Sequence, residues 1–87
     1  MSVITVNPHS VGARLLEAVA LKYKATISEA KATISVYAES PVAIGEHPQH
    51  IEEIDKLLDQ IATAQDKLDA LESHFHWRTG HTLVSMP

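Results

Sequence analysis

The chain has no cysteine, which excludes disulfides, thiolate zinc sites and cysteine nucleophiles. Its three glycines, Gly12, Gly45 and Gly80, stand far apart, so no glycine-rich loop of the kind that cradles phosphate is present. Basic residues are outnumbered: seven Lys and Arg against eleven Asp and Glu leave a formal charge of −4. That balance removes the electrostatic basis for non-specific nucleic-acid binding. No apolar run approaches the roughly 18 residues that a membrane span needs. The stretch Met1-Ser2-Val3-Ile4-Thr5-Val6 has neither the basic n-region nor the long apolar core of a secretory signal. The expectation is a soluble, intracellular protein with no membrane or nucleic-acid partner. No nucleophile lies at a recognisable spacing from a base, and no pair of acids faces a cleft, so enzymatic chemistry and a bound cofactor are not expected.

What the sequence has in abundance is helical periodicity. Leu16, Ala20, Tyr23, Ile27, Ala30, Ile34 and Tyr37 recur at alternating spacings of four and three, an unbroken heptad seam. Ile54, Leu57, Ile61, Ala64, Leu68, Leu71 and Phe75 form a second seam of equal length. The spacing predicts a helix over about residues 8–38, a loop at 39–47, a second helix over about 48–75 and a tail at 76–87. Asn7-Pro8 is a good helix start, with Asn as cap and Pro at the first helical position, and Ser10 is a second candidate cap. Ser40-Pro41 ends the first helix, because proline disfavours helical geometry in the residue before it. Gly45 supplies a conformation that other residues resist, and Pro48 restarts the helix. Residues 1–6 alternate apolar and polar, compatible with a short strand or with an unstructured terminus.

Two seams joined by a short loop argue an all-α fold: a two-helix, antiparallel, coiled-coil-like hairpin with short irregular tails, in one domain. Charge supports the pairing. Residues 11–38 carry four basic and two acidic side chains, whereas residues 48–75 carry two basic and seven acidic ones. Opposite flanks favour this pairing over self-pairing of the acidic helix. Leu15, Val19 and Val36 lie beside the first seam, and Ile51 and Leu58 beside the second. An apolar stripe wider than one partner helix needs predicts a further partner, and a chain this short gains stability by oligomerising. The expected interface is Leu15, Val19 and Val36, with Val42 and Ile44 in the loop. Trp77, the sole tryptophan, is counted with it, packing over the base of the hairpin near Leu15 and Leu16.

Other residues bear on ligands. His47, His50 and Glu53, three apart at the start of the second helix, have the types and spacing for a divalent metal; histidines at an exposed helix end need no ligand, so both readings stand. His74, His76 and His81 return to the neighbourhood of His9, as a metal site, a pH-sensitive patch or a solvated end. Tyr23, Tyr37 and Trp77 could stack a base while Lys22, Lys24, Lys31 and Arg78 meet phosphates, most readily where neighbouring chains converge; the alternative places both tyrosines in the seam. An oligomer that sequesters a small host nucleotide signal is therefore one alternative function, and a histidine metal-binding protein another.

The loop Glu39-Ser40-Pro41-Val42-Ala43-Ile44-Gly45-Glu46-His47-Pro48, followed by Ile51-Glu52-Glu53-Ile54-Asp55, resembles a group of small helical-hairpin proteins encoded by tailed bacteriophages, marine and cyanobacterial ones especially. The similarity spans roughly residues 20–75 and leaves out the histidine-rich tail. That group has no assigned activity, so no functional residue carries over. The resemblance implies a viral origin and expression in the host bacterial cytoplasm, with a place in the virion and a phage or host protein as partner as further expectations. On this reading the chain is a self-associating, non-enzymatic accessory or structural protein that acts by protein–protein binding.

Overall fold

A serine hydroxyl starts the first helix. In the computed structural model of the chain, which describes residues 2–39 and 49–79, Asn7 closes a turn instead of capping. Its side-chain Oδ1 accepts the His9 N–H at 2.9 Å, and its carbonyl accepts the Ser10 N–H at 3.0 Å and the Ser10 hydroxyl at 2.7 Å. Pro8 sits second in this turn, where its fixed φ is favoured. Ser10 Oγ then accepts the Ala13 N–H at 3.1 Å, the bond from cap to third helical residue that satisfies an otherwise orphaned donor. The Ser10 carbonyl takes the first helical bond, from Arg14.

Helix α1 spans Val11–Glu39 and helix α2 spans Gln49–His74; two short strands, β1 (Ile4–Thr5) and β2 (Phe75–His76), flank them. α1 thus begins three residues later than Pro8, and Phe75 leaves the second helix for a strand. The loop residues Val42, Ile44 and His47, and His81 of the tail, lie outside the described residues.

The two helices pack against each other as an all-α hairpin. Every residue of both seams is buried or half-buried. Outside the seams, Leu15 is 61 % exposed, Val36 53 %, Ile51 76 % and Leu58 51 %. Alanine is prominent among the buried positions: Ala13, Ala20, Ala30 and Ala64 are all buried, and a side chain of one carbon permits backbones to come near. Cross-helix contacts run along the whole length, from Tyr37 edge-on to His50 with ring centroids 5.5 Å apart, to the Lys67 ammonium 5.9 Å from the Tyr23 ring centroid.

The core is concentrated at one end. Ala13, Ala20, Leu68, Leu71 and Trp77 form a buried cluster, with Val6, Leu16, Val19, Tyr23 and Phe75 packed around it. Beside it, residues of the two flanking segments pair with each other. β1 and β2 pair in parallel, Ile4 beside Phe75 and Thr5 beside His76, and the Val6 N–H extends the pairing to the His76 carbonyl at 2.8 Å. Parallel strands need a long connection; here it is the entire helical hairpin. The result is a rod of 51 × 24 × 23 Å with a radius of gyration of 17.2 Å, against roughly 12 Å for a compact chain of this length. Among the described residues no helix is long and apolar enough to cross a membrane.

Candidate interaction surfaces

Where β2 ends, Trp77 turns inward and Arg78 turns back over it. Trp77 is 4 % exposed, and its indole N–H donates to Glu17 Oε1 at 2.9 Å. Arg78 Nε donates to the same oxygen at 2.7 Å, and Arg78 Nη1 donates to Glu72 Oε2 at 3.2 Å. The guanidinium lies 4.5 Å from the Trp77 ring centroid, within cation–π range. This latch joins α1, the end of α2 and the segment after β2. The Arg78 hydrogen bond, and after it the Trp77 hydrogen bond, hold the Glu17 carboxyl below its ordinary value. Burial opposes the Arg78 charge, but its bonds to Glu17 and Glu72 outweigh that and raise its pKa.

The latch corrects two expectations. Trp77 is not a residue offered to a partner: it fills this chain's own core. As expected it lies by Leu16, which packs on the same buried cluster, while Leu15, about 100° further round the helix, is exposed. Arg78 is engaged by two carboxylates and an indole ring, so it is not poised for a ligand phosphate.

The remaining ligand candidates do not converge within one chain. Tyr23 lines two neighbouring grooves. The first, about 630 Å³, is walled by Ile4, Val19, Leu71, His74 and Phe75; the second, about 320 Å³, by Lys22, Thr26, Asp59, Gln60 and Lys67. Lys24 lines a different groove of about 380 Å³ with Lys31 and Gln65. Tyr37 is at the far end, against His50.

Comparison with protein families, curated proteins and solved structures returned no match to this chain.

Among the described residues no group of three or more His, Asp or Glu side chains could hold a metal ion. His50 Nε2 is buried with no hydrogen-bond partner among the described residues, Glu53 pairs with Lys56 at 3.3 Å, and His47 lies outside the described residues.

What stands open on the surface is aliphatic. Leu15 and Val36, named from the sequence, are joined on α1 by Val11 at 68 % and Leu21 at 54 % exposure. Val19, expected beside them, is half-buried and packs on the core. Val11 and Leu21 lie off the seam whose period marks the first helix and were not expected in this face. Glu17 and Glu72 leave only a faint signal in the sequence: an acid next to the seam in an otherwise basic stretch, and an acid near the sole tryptophan.

Proposed function

We propose that the protein is an antiparallel helical hairpin that self-associates and acts, without enzymatic chemistry, by protein–protein binding. The observation that carries this reading is the face of α1 that the hairpin leaves uncovered: Leu15 at 61 % and Val36 at 53 % exposure, on a 29-residue helix whose opposite face is already packed. Aliphatic side chains in that number gain by leaving water, at about 25 cal/mol per Å². Antiparallel orientation is supported by contacts that run in opposite sequence order along the helices: Glu17 with Trp77, Tyr23 with Lys67, Tyr37 with His50. A role as a phage accessory or structural protein, in the host bacterial cytoplasm or the virion, rests on the resemblance of the loop alone.

The direct test is Leu15→Glu with Val36→Glu. Both side chains are exposed in the single chain, so helicity should persist while sedimentation shifts to the monomer. Unchanged association in the double variant would contradict the reading.

One observation favours a second reading, an oligomer that sequesters a small nucleotide signal. Tyr23 and Lys67 are shared by two adjoining grooves, an aromatic face beside a cation. That reading predicts ultraviolet-absorbing material, distinct from protein, released when the purified protein is denatured.

A further inference from the structure

The uncovered face of α1 has an order of its own. Val11, Leu15, Ala18, Lys22, Ala25, Glu29, Ala32 and Val36 recur at alternating spacings of four and three, a second heptad seam as regular as the one buried in the hairpin. All eight are exposed. The stripe is close to a palindrome about Ala25: Ala18 mirrors Ala32, Leu15 mirrors Val36, and Lys22 mirrors Glu29. Residues that mirror one another in size and oppose one another in charge are what a two-fold interface requires, because residue i of one copy meets residue j of the other and j meets i.

Resting on the self-association proposed above, we infer that the outer face of α1 pairs antiparallel with the same face of a second copy, centred near Ala25. Charge chooses the direction. A parallel pair would set Lys22 against Lys22 and Glu29 against Glu29 of the second copy; the antiparallel pair sets Lys22 against Glu29 twice. Size chooses the spacing. Ala18, Ala25 and Ala32 let the two helices approach closely at the centre, and the larger Leu15 and Val36 close the ends. The stripe runs about 39 Å along the helix, most of the rod's 51 Å length. α2 offers no equal: Ile51 and Leu58 are followed at helical spacing by Gln65, Asp69 and Glu72, so its outer apolar stripe stops half-way.

The test is a charge exchange read by sedimentation velocity over a concentration series, on the wild type, Lys22→Glu, Glu29→Lys and the double exchange. Both positions are exposed, and circular dichroism confirms that helicity is kept. Each single exchange places like charges together twice and should weaken association on the order of tenfold; the double exchange should restore it. Ala25→Cys, the only thiol in that variant, should cross-link into a covalent dimer on mild oxidation. A wild type that stays monomeric would overturn both self-association and this pairing. A wild type that associates, with single exchanges that change nothing or a double exchange that fails to restore, would overturn this pairing alone.

Discussion

Glu17 accepts two hydrogen bonds on one oxygen, from an indole and a guanidinium donated some sixty residues further along the chain. Its lowered pKa has a consequence for stability. A carboxylate depressed by folding contributes fully above its unfolded-state pKa, and that contribution is lost as pH falls through the folded-state value. The urea midpoint should therefore drop on acidification below the ordinary glutamate range, and Glu17→Gln should flatten that part of the profile. Because Trp77 is the sole tryptophan, its fluorescence reports on the latch directly, and the shift to a solvated spectrum should follow the same pH range. Glu17 is 40 % exposed, so the electrostatic part is screened and modest. Packing weighs more: Trp77→Ala should cost roughly 3–5 kcal/mol in chemical denaturation. Part of this was legible in the sequence: Trp77 was expected over the base of the hairpin, and it lies in the cluster on which Leu16 packs. The bonds among Glu17, Glu72, Trp77 and Arg78 were not, because side-chain pairs between distant residues leave no periodic trace.

The helices themselves were legible, because burial on one face of a helix imposes a period and every residue of both predicted seams is at least half-buried. Their starts were less so. Asn7 and Ser10 are both good caps, and the choice was made by local hydrogen bonds, since the Asn7 side chain is spent on the His9 N–H and leaves Ser10 to serve Ala13. Ser10→Ala should therefore destabilise by about 1 kcal/mol, and Asn7→Ala by less. Two residues inside, a Cβ added to Gly12 would meet Ser10 Oγ and Val6 Cγ1 at an ordinary 3.6 Å. Gly12→Ala should be accommodated and stabilise by up to roughly 0.5–1 kcal/mol, as the unfolded chain loses freedom. Thermal melts check this: a larger fall for Ser10→Ala than for Asn7→Ala supports the cap assignment, and Gly12→Ala should melt higher. The paired strands were half legible: the alternation of residues 1–6 allowed a strand, but nothing in that stretch named Phe75–His76 as its partner.

At the scale of the whole molecule, a rod whose core gathers at one end leaves much of its length held by alanine contacts and half-buried seam residues. The flank residues that the sequence set beside the seams divide accordingly. Val19 packs on the core, whereas Leu15, at the same end but turned away from it, and Val36 stay in water. Those open positions ask for a second chain, and association should raise thermal stability with protein concentration, as linkage requires. Native mass spectrometry of freshly purified protein, repeated after denaturation, tests this most directly. Self-association that serves protein–protein binding predicts a discrete oligomer whose mass is a whole multiple of 9.5 kDa, with no added mass lost on denaturation. A bare 9.5 kDa species at every concentration would contradict it.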